Sequence, residues 1–401
     1  MTRLTSLIAA YPRPFWLLWT GTLINRTGEF VVPLLGFYLT AQQHMNVGQV
    51  SVILSALGVG RFLAEGFGGQ LSDRYGTAFT MTLALTGGGL MLLLLAQAHT
   101  FAQLFAGVLA YSLLTAMYKP AASTAVADLT AGPQRARAYN LLYWAINVGA
   151  SIAPVLGGVL AGLNARLLFY LDALTMFVYA AILTLFYRAP RTPHEHTRRA
   201  ALLPRDRLLW QFCLATLLYA LTYQSYKLLA LVFAQQGYAA VQYGQVLAVN
   251  GLLVILLGLP VGHFIARTSH PRWQVAGAAL LGTGFLLHAF AHTLGQHVLA
   301  VTVWTLGEIV AYSISKTIIS ELAPPQNRGA YIGLVGSMSG LATLIAPLLG
   351  GALLQHLGAA PMWTAMAGVG FTAAALYLWL EARVTRRRAE TARWEAALPA
   401  G

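Results

Sequence analysis

Apolar runs of about 20 residues, parted by short polar or basic loops, recur along the whole chain. A run of that length can cross the hydrocarbon core of a bilayer as a helix. The pattern predicts twelve spans, at 15–39, 48–71, 78–97, 101–127, 137–161, 166–187, 208–233, 243–265, 273–292, 298–320, 329–355 and 361–383. Between the sixth and seventh lies a polar linker, 189–207, with Pro193, His194, Glu195, His196 and Pro204. The predicted fold is therefore all-α and membrane-embedded, with a six-helix half at 1–188, the linker, and a second half at 208–383. A tail at 384–401 contains Arg386, Arg387 and Arg388 and reads as a membrane-surface helix or a frayed end. The first run has polar groups at its centre and no small-residue cleavage site, so it reads as a span and not a removable signal.

The two halves repeat each other. Asp128, Arg135 and Pro154 return as Glu321, Arg328 and Pro347, each at an offset of 193 residues. Gly69 and Arg74 return as Gly262 and Arg267 at the same offset. An apolar chain built as a duplicated half is a design of secondary transporters, whose substrate site lies between the repeats near the bilayer midplane.

Composition agrees with the span pattern. The 401 residues are 57% hydrophobic and 9% charged, against about 25% charged in soluble domains. The lone Cys213 excludes an internal disulfide and reads as a small apolar filler. The net charge of +13 is explained by placement, not by nucleic acid. Nineteen arginines fall in the termini, the linker and alternate loops; the opposite loops hold Arg166. Basic loops stay cytoplasmic, so both termini are expected inside a cell (inner) membrane, with anionic inner-leaflet lipid as partner. No phosphate-binding loop, dinucleotide fingerprint, metal-ligand spacing or nucleophile–base pair stands out. No cofactor, no metal and no enzyme activity is expected, and the protein is expected to be a monomer.

Charges inside spans are the functional candidates, since each costs about 2.5–3.5 kcal/mol at the bilayer centre. The acids are Glu29, Glu65, Asp172 and Glu308; the bases are Arg26, Arg61, Lys119, Lys227 and Lys316. Arg26–Glu29 and Arg61–Glu65 have spacings that put partners on one helix face. Glu308 has no base within four residues on its own helix. Burial disfavours the charged form of a carboxyl, so such a group can take up and release a proton. Glu308 leads as proton or substrate site, against a structural pair with Lys227, Lys316 or another cation. Glu29 follows, against a neutral pair with Arg26. Glu65 with Arg61 reads as structural, Lys119 as a cavity cation, and Asp172 as a partner of Arg166. Asn25, Tyr143, Trp144, Asn147, Tyr219, Tyr223, Tyr226, Lys227 and Asn250 could line an aromatic, amphipathic cavity, of a kind that holds flat lipophilic molecules and cations. Their alternative is ordinary helix packing.

Gly69-Gln70-Leu71-Ser72-Asp73-Arg74-Tyr75-Gly76 resembles the loop signature of the major facilitator superfamily. Gly149-Ala150-Ser151-Ile152-Ala153-Pro154-Val155-Leu156-Gly157-Gly158 resembles that superfamily's fifth-span antiporter signature. Tyr143-Trp144-Ala145-Ile146-Asn147 and Trp304-Thr305-Leu306-Gly307-Glu308-Ile309 are similar to the twelve-span drug:proton antiporters. Departures are Thr77 and Ala78 where two basic residues are usual, Ala153 for a glycine, and Leu142 where some relatives carry an acid. The resemblance implies a two-half facilitator bundle with alternating access. It implies that Gly69, Asp73, Arg74 and Gly76 form a conformational latch, with Asp73 facing the start of the eleventh span; Asp128 with Arg135 or Arg137 would be a second link. Gly149, Pro154, Gly157 and Gly158, with Pro347, Gly350 and Gly351, would let the fifth and eleventh spans bend; close packing without gating is the alternative.

The expected function is proton-coupled efflux of small lipophilic or amphiphilic compounds. Transport of one specific solute (a sugar, siderophore, lysolipid or organic anion) is the alternative, and a non-transporting sensor or scaffold of the same fold is a third reading. None of the candidate acids repeats: Glu29 maps to Thr222, Glu65 to Gly258 and Glu308 to Thr115, while Asp73 maps to Ala266.

Overall fold

A computed structural model describes residues 10–130, 132–187, 206–268, 270–323 and 328–397. Most of the linker, including His194, Glu195 and His196, lies outside them, as do Arg3 and Arg188. Among the described residues the regular structure is helical throughout. The helices are α1 (Arg13–Thr27), α2 (Val31–Ala41), α3 (Val47–Tyr75), α4 (Thr77–Leu95), α5 (Phe101–Ala116), α6 (Tyr118–Leu129), α7 (Gly132–Leu163) and α8 (Arg166–Phe186). There follow α9 (Arg207–Gln224), a 3-10 turn (Ser225–Leu228), α10 (Leu229–Gln235), α11 (Ala240–Thr268), α12 (Arg272–His288), α13 (Leu294–Leu322), α14 (Arg328–Leu357) and α15 (Ala359–Ala397).

Ten of the expected spans are long and apolar enough to cross a membrane. The other two have local reasons to look short. The first span is divided between α1 and α2, and the ninth, α12, has 17 residues, or about 26 Å of helix. The chain is an all-helical membrane protein of twelve spans. Rows of exposed leucines, among them Leu163, Leu185, Leu256 and Leu259, suit a surface set in hydrocarbon.

The repeat extends to the helix starts. Asn46 and Gln49 form a reciprocal capping box on α3, Thr100 and Gln103 one on α5, and Thr293 and Gln296 one on α13. The second and third boxes stand 193 residues apart. The counterpart of Asn46 is Ala239, which has no side-chain oxygen, yet Gln242 still accepts from the Ala239 N–H at 2.8 Å. These bonds satisfy donors that a helix start otherwise leaves open.

By its contacts the chain gathers into two compact units, Met1–His196 with Phe233–Gly251 and Thr197–Val232 with Leu252–Gly401. The segment 233–251 joins the first unit because backbones touch there. A Cβ on Gly244 would lie 2.1 Å from the Pro154 carbonyl oxygen, one on Gly251 2.2 Å from Ser151 Oγ, and one on Gly158 2.7 Å from the Ala240 oxygen. Only residues without a side chain allow so close an approach. In the second unit, α12 and α13 meet in the same way. A Cβ on Gly277, Gly284 or Gly307 would lie within 2.7 Å of backbone nitrogen on the other helix.

The helix breaks lie elsewhere than at the prolines of the repeated signature. Pro154 and Pro347 lie inside uninterrupted helices, α7 and α14. The first, fourth and seventh spans are the interrupted ones. Pro33 and Pro120 stand in the first turns of α2 and α6, where a missing N–H removes no helical bond. The tail also differs from expectation: α15 runs on as one helix to Ala397. Arg387 pairs with Asp206 at 3.3 Å, Arg388 with Glu321, and Arg272 with Glu381 at 2.8 Å. Asp206 also caps α9 and accepts from Tyr331 Oη at 2.7 Å.

Candidate functional site

The first unit builds its charged group around the joint between α1 and α2. Gly28, Glu29 and Phe30 lie outside both helices. Gly28 is required by packing, since a Cβ there would sit 2.3 Å from Thr175 Oγ1 of α8. The joint frees the N–H groups of the first turn of α2. One of them, on Val31, donates to Asp172 Oδ2 at 3.1 Å. Asp172 is fully buried at 0% exposure. It therefore caps a half-helix from a neighbouring span, where the helix dipole favours an anion; the expected pairing with Arg166 is replaced by this contact.

Arg26 and Glu29 form an ion pair, both sides about 30% exposed. Glu29 is not on the helix face that the spacing predicts; it sits in the joint and reaches back to Arg26 in the last turn of α1. A cation is favoured at that helix end. The fifth-span signature enters here: a Cβ on Gly149 would lie 2.4 Å from Arg26 Cβ and 2.6 Å from its carbonyl carbon. Gly157 plays the same part against Leu34 of α2. Below the joint, Thr22, Tyr118 and Tyr179 share hydroxyl bonds of 3.0, 2.8 and 3.4 Å, and Tyr179 donates to the Leu18 carbonyl.

The second unit brings an acid to an aromatic cluster. Tyr223 Oη donates to Glu308 Oε1 at 2.8 Å. Gly307 is pressed on α12, and the next residue is turned by roughly 100° around the helix, which carries Glu308 to α9. Trp304, one turn earlier on α13, packs on Tyr223 edge-on at 6.1 Å and on Tyr226 in a stack at 6.4 Å. Tyr219 lies in electrostatic range of the Glu308 carboxylate. The local feature is the 3-10 turn at Ser225–Leu228, which follows Tyr223 and interrupts the seventh span.

The remaining candidates divide between the units. Asn25 is buried and Asn250 half-buried in the first. Tyr143 and Trp144 are exposed on α7, Trp144 stacked on Trp19 of α1 at 6.2 Å. Asn147 bonds the Tyr143 carbonyl of its own helix. Lys119 is exposed at the start of α6, and Lys227 is half-buried in the 3-10 turn. Arg61 is exposed on α3; the side chain of Glu65 lies outside the described residues, as do those of Lys316 and Arg328 and the surroundings of Gly69. In the loop signature Asp73 and Arg74 are exposed, with Arg74 over the Tyr75 ring at 5.3 Å, and Gly76 takes a φ of 89° that links α3 to α4. Arg135 donates to the Thr130 and Ala127 carbonyls at the end of α6 at 3.0–3.1 Å, and Asp128 is half-buried one turn earlier. Gly350 packs on Leu228, and Gly351 is buried in α14 beyond Pro347.

Sequence reasoning missed two features. One is Asp172 as a cap; Gly28 and Pro33 signalled the joint but not what would hold it. The other is a buried pair, His288 and His297, whose Nδ1 atoms lie 2.9 Å apart beside Trp363.

Broken spans, intramembrane carboxylates and duplicated halves suit a membrane transporter, and the comparisons agree. The sequence profile of the Major Facilitator Superfamily matches residues 18–312 and 212–400. The chain belongs to that superfamily. It is 25% identical over 358 residues to the uncharacterised MFS-type transporter YqjV of Bacillus subtilis (strain 168), covering 86% of this chain and 87% of that protein. It is 26% identical to the multidrug resistance protein MdtH of Aeromonas salmonicida (strain A449), covering 89% and 92%. Its fold matches the crystal structure of a POT family transporter in complex with a thioalcohol-conjugated peptide, with a TM-score of 0.80 over 93% of this chain and 97% of that one, at 14% identity.

Proposed function

We propose that this protein is a proton-coupled exporter of small lipophilic or amphiphilic compounds that works by alternating access. The observation that carries the reading is the contact of Glu308 with Tyr223 beside Trp304 and Tyr226. A carboxylate next to aromatic faces suits flat amphipathic cations. The same carboxyl accepts a proton when the cation leaves, so cation and proton compete for one group. Further support comes from the fifth-span signature, packed on Arg26, and from the printed name of the MdtH relative. The arginine asymmetry supports an inner-membrane location with both termini cytoplasmic.

In the cycle we infer, ionised Glu308 binds substrate from the cytoplasm, the halves rock, substrate leaves outside, and protonation of the acid resets the protein. Asp73 and Arg74 act as the latch. The test is proton release from proteoliposomes driven by a panel of amphiphilic cations, sugars and organic anions. Cation-driven release that Glu308→Gln abolishes sustains the reading. Release driven only by a sugar or an organic anion replaces it with single-solute transport, and no flux for any solute leaves a sensor or scaffold.

A further inference from the structure

We propose that the groove between α9 and α15, at the ends assigned above to the cytoplasm, holds the headgroup of an anionic phospholipid through Arg207, Arg383 and Arg386. Two contacts set the register of these helices. Asp206, the cap of α9, pairs with Arg387 at 3.3 Å, and Gln211 accepts from Arg383 at 3.2 Å. The two helices therefore run in opposite directions here, and Arg207 comes level with Arg386. Arg207 and Gln211 share one face of α9, and Arg383 and Arg386 share one face of α15, each pair by its spacing. All three arginines are exposed, and among the described residues no acid pairs with them. Arg272, Arg387 and Arg388, by contrast, each meet an acid. The acids on these stretches are Asp206, held by Arg387, Glu381, held by Arg272, and Glu390, one turn past Arg386. Guanidinium groups grip phosphate oxygens through parallel N–H bonds. The Arg383 guanidinium lies 4.0 Å over the centre of the Trp379 ring, which holds it in place while leaving its outer donors to a ligand.

The order of side chains along both helices points to a lipid and not to a soluble anion. On α9, exposed Arg207 is followed one turn on by exposed Trp210 and one turn later by exposed Leu214. On α15 the same order runs backward, from Arg386 and Arg383 to Trp379 and Leu378, all exposed. Basic, then aromatic, then aliphatic is the sequence of layers at a bilayer surface, where tryptophan sits at headgroup level. A soluble anion needs the first layer alone; an acyl chain lies along the other two. A basic cluster at the end of a span attracts anionic lipid over zwitterionic lipid, since the latter brings its own cation. The first half of the chain has no copy of the site. At the offset of 193, Arg207, Trp379, Arg383 and Arg386 correspond to Pro14, Phe186, Pro190 and Pro193. The repeated scaffold therefore does not require these arginines. A headgroup in this groove joins the start of the span that carries Tyr223 to the last span.

The test is native mass spectrometry of the full chain in neutral detergent, titrated with phosphatidylglycerol or with phosphatidylcholine of the same acyl chains. The parent is expected to bind its first phosphatidylglycerol about tenfold or more tighter than phosphatidylcholine. The combined variant Arg207→Gln, Arg383→Gln, Arg386→Gln should lose most of that preference. A control that removes three other exposed arginines, Arg13→Gln, Arg137→Gln, Arg267→Gln, should keep it. No preference in the parent overturns the proposal. An equal loss in both triple variants also overturns it, because diffuse surface charge then explains the binding. Displacement of phosphatidylglycerol by millimolar inorganic phosphate overturns the lipid assignment and makes the groove a small-anion site. If the site triple does not fold, Arg386→Gln alone decides: a fall in preference of about threefold or more sustains the site, and an unchanged preference overturns it. None of these readouts uses flux, so the lipid site and the export reading stand or fall separately.

Discussion

In the first unit the in-span acids meet charge and a helix end, Glu29 on Arg26 and Asp172 on the Val31 N–H. In the second, Glu308 meets a phenol in an aromatic wall. The offset of 193 sharpens the contrast. Arg26 corresponds to Tyr219, Phe30 to Tyr223, Tyr111 to Trp304 and Asp172 to Ala365. Each unit kept the break in its first span, at 28–30 and at 225–228, about one turn apart after the offset. The charges then went to different sides of it. The first copy put a cation and two acids at the break, which suits holding a shape. The second put tyrosines there and its acid on another helix, which leaves the carboxylate beside aromatic rings.

The largest effect expected from that contrast is on coupled flux. Glu308→Gln should lower substrate-driven proton release by about tenfold or more, because in the proposed cycle this carboxyl takes both cation and proton, and glutamine takes neither. Glu29→Gln should lower it far less and instead reduce stability, by about 1–3 kcal/mol in thermal unfolding, the half-exposed version of breaking an ion pair. The opposite pattern in the two assays would exchange the roles of the units.

Next in size is a packing asymmetry. Gly149 corresponds to Ala342, which is fully buried in the second unit. Gly149→Ala drives a methyl into Arg26 Cβ and the α1 backbone and should cost about 1–3 kcal/mol by overpacking. Ala342→Gly should cost about 0.5–1 kcal/mol, the ordinary penalty of glycine inside a helix. Thermal unfolding of purified protein measures both. Equal costs would mean that α7 is not held on α1 as described.

Apolar run length and arginine placement made the twelve spans legible, because the bilayer imposes both. The repeat made the halves legible. What escaped was contact between helices distant in sequence. Glu29 and Arg26 are three residues apart and were paired by spacing, but Asp172 lies 141 residues from Val31, and no local pattern links a carboxylate to a backbone N–H on another span. Pro154 shows the same limit: a proline marks a missing hydrogen bond, while neighbouring helices decide whether the helix bends. The tail's partners escaped too, because Arg387 and Arg388 find acids at the cap of α9 and in α13 that only the fold brings near.

The smallest effect tests the second unit's half of the contrast. Tyr223→Phe gives that position the side chain its counterpart Phe30 already has, keeping the ring and its edge contact with Trp304 while deleting the bond to Glu308. A hydrogen bond to a charged group contributes about 1.5–3 kcal/mol when fully buried. Glu308 is half-buried, so we expect a fivefold drop in flux, equivalent to about 1 kcal/mol. Unfolding temperature should stay near the parent's, because the ring packing survives. A large fall in stability with flux per folded molecule unchanged would make the Tyr223–Glu308 bond a structural brace, and the two units would then differ in composition alone.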